Sequence, residues 1–519
     1  MQVPAKVIAL ALVLLTVLIA LIGYIQRSPI IHIALVAFPF LFLMMSNPGA
    51  WFVAIMGLSR SGLVFPGIPQ GLEVVHVMMA GFVVLIIARN IIIKPRSGKL
   101  ALSEYFVYGF LAVIGITIFF RGFGLRALGG ESWGGMGYIK LFIAAGFYLT
   151  AKYIQLTPRQ IKLSIVFLVL FSFIPAISQV IFIASGGRIY QQYMFVHAYV
   201  AGLLGSLEAA ETGRGIVRYQ LMGTVAINLM LAALILFPFR RAYRFLVVAL
   251  ICGAILAGGL SGFRGTIMTV LGVVTLYIIL VSEGQRIRRL FQLAIPVVIG
   301  FVILLLTVQQ LPIPVQRAVT WVPFVETSAL AQMDAEGSSQ WRIEVWQMAW
   351  QEVPNYLWVG KGYALNPADI TSMAARRDSV LMAVFTQDYH NGPLSLLLVF
   401  GIPGLLMGTG FLVASSYELI KRARNLGQDP FIRRFYFVFT ARYIFSAVTF
   451  FVIFGDARES FVQAFVMMAF LNMAYRAERP VAAAEPAEIT PNQAPPRRNG
   501  TAWTPAISFN RSAGSSPFR

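Results

Sequence analysis

HNGPLSLLLVFGIPGLL, residues 390–406, carries the chain out of a polar segment and into a long apolar run. A hydrocarbon core of about 30 Å needs about 20 helical residues, and runs of about 17 or more mostly apolar residues meet that need. Such runs recur from Val7 to Tyr475, with candidate spans near 7–25, 30–46, 49–65, 74–93, 105–121, 138–154, 161–184, 219–237, 243–260, 265–281, 290–309, 391–416, 434–454 and 458–475. The run at 49–65 is interrupted by Arg60 and ended by Pro66, so it reads as a re-entrant or interfacial segment, and the total is 12 to 14. Inside lipid every backbone polar group must be satisfied, which leaves helices or a closed barrel. Continuous apolar runs, not a period of two, select helices. The fold class is therefore all-α, a polytopic transmembrane helical bundle.

Composition agrees. The chain has 519 residues, 58% hydrophobic and 12% charged, where soluble domains carry about 25% charged residues. The net charge of +20 does not point to nucleic acid, because most basic residues lie in short loops on alternate sides of successive spans. That pattern sets topology. The single cysteine, Cys252, lies mid-span and excludes an internal disulfide. Lys6 followed by an apolar run to Ile25 reads as a retained first helix, being too long for a signal-peptide core.

Five basic clusters fall on one face if the spans are as given: Lys94/Arg96/Lys99, Lys152/Arg159/Lys162, Arg240/Arg241/Arg244, Arg286/Arg288/Arg289 and Lys421/Arg422/Arg424/Arg433/Arg434. That face is expected to be cytoplasmic. The loop 310–390 and the turn LSGFRG (Leu260–Gly265) then face outward. Residues 1–475 form the membrane domain, and 476–519, rich in proline, alanine and polar residues, read as a disordered cytoplasmic tail.

Within the outward loop, QWRIEVWQMAWQEVP (Gln340–Pro354) predicts a surface helix capped by Ser338 or Ser339 and stopped by Pro354. Ile343, Trp346, Trp350 and Val353 would form its apolar stripe, with the tryptophans at headgroup level. Arg342 then sits near the headgroup plane.

Arg264 ends a turn between Gly262 and Gly265. A snorkelling anchor is the plain reading of such an arginine. Against it, the residue lies on the outer face, and flanking glycines let a bulky anion approach. Arg342, Arg317, Arg376 and Arg377 share the large loop and compete for the same role. Converging guanidinium groups suit a pyrophosphate, since each gives bidentate bonds and keeps its charge. His390, between Asp388 and Asn391, is either a capping or interfacial residue or a base; a neutral imidazole takes a proton near neutral pH. His32 and His76 lie in apolar runs and His197 near a loop, where packing is the better reading. No metal-ligand spacing or Walker-type loop appears, and the glycines of GGESWGGMG (Gly129–Gly137) read as a connector.

At LSGFRG, QWRIEVW, GKGY (Gly360–Tyr363) and HNGPLSLLLVFGIPGLL the sequence resembles the O-antigen ligase and polymerase superfamily. The resemblance covers about residues 220–420 and rests on order and spacing: Arg264, Arg342, Gly360 and Gly362, His390, then Gly401 and Gly404. Phe263 departs from it, standing where a serine is frequent. The resemblance implies a GT-C-type helical fold in a bacterial inner membrane, with the large loop periplasmic. It implies inverting transfer of a glycan from an undecaprenyl-diphosphate carrier, with no metal or other cofactor. Arg264 and Arg342, with Arg317 as a third candidate, would hold the diphosphate, and His390 would act on the acceptor hydroxyl. The acceptor would be a lipid A core or a growing polysaccharide. A non-enzymatic flippase or transporter of a lipid-linked saccharide is the alternative.

Overall fold

The computed structural model describes residues 47–59, 72–93, 100–124, 134–185, 216–238, 241–281, 300, 302–303, 306–366, 379–426, 429–452 and 454–478. Among them are fourteen α-helices and no strand: α1 (Pro48–Leu58), α2 (Val74–Ile93), α3 (Leu102–Arg121), α4 (Met136–Ala151), α5 (Pro158–Ala184), α6 (Met222–Leu236), α7 (Arg241–Leu260), α8 (Arg264–Val281), α9 (Ile313–Val319), α10 (Ala329–Tyr356), α11 (Ser379–Thr386), α12 (Gly392–Ala423), α13 (Pro430–Val452) and α14 (Glu459–Glu478). Six of these, α2, α3, α5, α8, α12 and α13, are long and apolar enough to cross a membrane. Helices α1, α4, α6 and the Phe245–Leu260 part of α7 are shorter apolar helices beside them. The chain is a polytopic helical membrane protein. The expected spans at 7–25 and 30–46, most of 290–309, and the tail beyond Glu478 lie outside the described residues.

Helix α12 is the axis of the bundle, packing against α3, α13 and α14. Its start is fixed locally: the Asn391 side chain accepts from the Leu394 N–H, and Pro393 occupies the first turn. Aromatic rings fill the space around it, with Phe110 5.2 Å from Phe400 and 5.1 Å from Phe461, and Phe411 4.8 Å from Phe465. Such pairs add about 0.5–1.5 kcal/mol each beyond burial.

One end of the bundle is laced by polar ties. Glu418 accepts from Ser103, Lys152 pairs with Glu104 at 2.9 Å, and Arg434 donates to the Ile235 carbonyl at 3.3 Å. The basic clusters at 152–162 and 421–434 belong to this end. The opposite end carries α9, α10 and α11.

Gly401 breaks α12 with φ +69°, and Pro403 follows it. The break releases the carbonyls of Leu398 and Val399, and the GKGY segment takes them up. Lys361 N–H donates to Leu398 at 2.7 Å and Gly362 N–H to Val399 at 3.0 Å, while Ile402 N–H donates to Leu357 at 2.7 Å. Loop and helix thus satisfy one another's backbone where water is scarce. Only glycine fits: a Cβ on Gly360 would overlap the Val399 carbonyl, and one on Gly401 would lie 2.7 Å from Leu357 O.

The surface helix expected over 340–354 is longer, running from Ala329 with Ser328 as its N-cap. The helix formers of ALAQMDAE begin it, and Ser339, expected as a cap, instead bonds back to the Ala335 carbonyl at 3.0 Å. Pro354 lies in the last turns and does not end the helix. The inward stripe also differs. Val345, Ala349 and Val353 pack against Tyr389, Leu394 and Leu398, whereas Ile343 and Trp350 are exposed. Covering the start of α12 sets the helix's rotation.

Candidate active site

The LSGFRG turn joins α7 to α8 and is closed by its own residues. Ser261 Oγ donates to Gly258 O at 2.6 Å, and Gly262 takes φ +72°. Arg317 Nη1 donates to the Gly262 carbonyl, and its Nε donates to Asp334 on α10. Arg218 grips both oxygens of Asp334, at 2.8 and 2.6 Å. Burial pushes the Asp334 carboxyl up, but its hydrogen bonds and charge pairs with Arg317 and Arg218 prevail and hold it below the ordinary value of 3.8. Arg317 is 3% exposed, and its guanidinium is largely committed to this clamp.

Arg264, the first residue of α8, reaches across to α10, where its Nη2 donates to Ala335 O and Ser339 Oγ, both at 3.0 Å. Arg342, two turns further along α10, makes no hydrogen bond or ion pair with any described residue. Burial, then the charges of Arg264 and Arg218, disfavour its positive charge. A half-buried cation facing two others is an arrangement that a bound anion relieves.

His390 lies between the rings of Trp341 and Phe454, whose centroids are 5.3 and 4.7 Å from its own. Its backbone has φ +51°, a left-handed conformation that costs a non-glycine residue roughly 1 kcal/mol or more and recurs at functional sites. Nδ1 lies 3.4 Å from Asp388 Oδ1 but makes no aligned hydrogen bond. Burial lowers the imidazole pKa below 6.5; Asp388 and Asp456 pull it up and Arg342 pulls it down. At neutral pH the ring is therefore neutral and able to accept a proton.

Arg264, Arg342 and His390 all line one cavity of about 1130 Å³, as do Arg218 and Arg317. The cavity sits at the end of the bundle carrying α10, between the starts of α8, α12 and α14. Arg376 and Arg377 lie outside the described residues, as do His32 and His197. His76 is packed in α2, with Nδ1 accepting from Glu73 N–H at 3.2 Å. The G-x-G at 360–362 is spent on structure: Arg121 donates to Gly360 O at 2.8 Å, and Tyr363 N–H donates to Tyr138 at 2.7 Å.

Sequence reasoning missed the rest of the wall. Arg442, Asp456 and Arg458 also line the cavity. Arg442 carried a signal, a charge within an apolar span. Asp456 and Arg458 looked like an ordinary boundary between spans, and only folding shows them opposite Arg264.

No curated protein matches the chain. Residues 259–408 match the family model described as O-antigen ligase, a segment that contains the LSGFRG turn, α9 to α11, GKGY, His390 and the break in α12. Over that segment the chain is similar to the O-antigen ligase family.

Proposed function

We propose that this protein transfers or polymerises a glycan from an undecaprenyl-diphosphate-linked donor at the periplasmic face of a bacterial inner membrane. The observation that carries this reading is the single cavity shared by Arg264, Arg342 and His390. The diphosphate lies against Arg342 and the free donors of Arg264, which keep their charge throughout. The acceptor hydroxyl oxygen attacks the anomeric carbon as His390 takes its proton. The bond from that carbon to the diphosphate breaks, and its electron pair leaves with the carrier. Charge developing on the departing oxygen is met by guanidinium groups already in position. One displacement inverts the anomeric centre. Arg317, expected to touch the diphosphate, is better assigned to positioning: it holds the Gly262 turn against Asp334. The basic clusters at the opposite end support the outward orientation of the cavity.

Expression of His390→Ala in a deletion strain tests the reading. Loss of surface glycan with the protein still in the membrane is expected. Glycan of normal amount and length overturns the enzymatic role and favours the transporter alternative. The deletion strain itself distinguishes the two acceptors: undecaprenyl-linked long chains accumulate if the enzyme is a ligase, single repeat units if it is a polymerase.

A further inference from the structure

His390 sits on a seam. On one side Arg342 has Arg264 and Arg218 as its charged neighbours; on the other, Asp388 and Asp456 act on the imidazole. The cavity is thus cationic along α8 and α10. Asp388, just before α12, and Asp456 and Glu459, at the start of α14, set three carboxylates against two cations, Arg458 and the Lys140 that pairs with Glu459 at 3.3 Å. A second diphosphate would be repelled there.

The same wall holds buried polar atoms with no protein partner. Tyr363 is 6% exposed and its hydroxyl is unpaired; Gln387 is 4% exposed and its Oε1 is unpaired; beside them Arg458 Nε lies 3.3 Å from Glu459 Oε1. All three residues line the cavity. A buried polar atom left unbonded costs about 1–3 kcal/mol, so two on one wall mark a place built for a polar ligand. Donors and acceptors are mixed, and Phe454 offers a half-exposed ring beside them. Neutral sugar hydroxyls above an aromatic face match that chemistry.

We infer that Tyr363, Gln387, Asp388, Asp456 and Arg458, with Phe454, form the acceptor-saccharide subsite, which takes a neutral sugar and presents its hydroxyl to His390. This rests on the transferase reading above. Gln387 also donates to the Gly362 carbonyl and Asp456 caps α14, accepting from Glu459 N–H at 3.1 Å, so conservative variants are needed. Tyr363→Phe removes only an unpaired hydroxyl, and Asp456→Asn keeps a capping side chain.

The experiment uses the purified full chain in lipid nanodiscs with two probes: undecaprenyl diphosphate, and a panel of neutral octyl glycosides followed by saturation-transfer NMR. Tyr363→Phe is expected to leave thermal stability equal or higher, to leave undecaprenyl diphosphate affinity within about twofold, and to weaken glycoside binding about fivefold, the worth of one hydrogen bond. Asp456→Asn should weaken glycoside binding in the same direction. The inference is overturned if neither variant changes glycoside binding, if both weaken undecaprenyl diphosphate equally, or if no glycoside binds the wild type. A wild-type chain that fails to bind undecaprenyl diphosphate would instead overturn the donor reading, while the glycoside arm still decides this one.

Discussion

At His390 a neutral imidazole is maintained by its surroundings. Burial lowers its pKa below 6.5, Asp388 and Asp456 raise it, and Arg342 lowers it. A base works while unprotonated, so the acid limb of the transfer rate should fall below pH 6.5. Replacing Arg342 with Gln removes a lowering charge, and the acid limb should move to higher pH. A pH profile at saturating donor checks this, and an unmoved limb would show that Arg342 does not act on the ring. His390→Gln should cost about 100- to 10,000-fold in rate, the usual worth of general base catalysis, with expression unchanged. Arg264→Lys should lose the forked contact to Ala335 O and Ser339 Oγ. Donor KM should rise more than tenfold in that variant, because a lysine offers a point charge in place of a planar fork.

Among the elements, the break in α12 is the feature most open to test. Gly401 at φ +69° lets the helix release two carbonyls to Lys361 and Gly362. Gly401→Ala places a Cβ 2.7 Å from Leu357 O in a conformation that alanine rarely adopts. A loss of about 1–3 kcal/mol in stability is expected, read as a lower Tm in detergent. The position of the GKGY segment should loosen with it, visible as faster proteolysis within 357–366. A Tm equal to wild type would mean that the interlock adds nothing. This coupling was only half legible: the glycines and Pro403 announce a turn and a break, but not that each completes the other.

For the molecule as a whole, the clamp of Arg218, Arg317 and Asp334 ties the start of α10 to α9 and the turn before α8. Asp334→Ala leaves two arginines facing each other, one of them 3% exposed. Breaking a buried pair from one side typically costs about 3–5 kcal/mol, and α10 should detach before the bundle melts. Hydrogen exchange over 313–342 reads this directly. The pH sign follows from the depressed carboxyl: its stabilisation is full above pH 3.8 and is lost as pH falls through the lower native value. Loosening of α10 in wild type should therefore appear only in strong acid.

Sequence alone determined the helical membrane fold, because hydrocarbon admits few ways to satisfy a backbone, and apolar runs of that length read as helices wherever they occur. It put forward Arg264, Arg342 and His390 through the order and spacing of motifs that resemble the O-antigen ligase superfamily, while residue chemistry alone left Arg317, Arg376 and Arg377 competing with Arg342. Tertiary structure decided the rotation of α10, which follows the apolar face it covers and not the stripe drawn from spacing. It separated Arg317, bound in a clamp, from Arg342, left with charge to offer. It also brought Asp456 and Arg458 across from the arginines, a pairing of residues more than a hundred positions apart that no local pattern encodes.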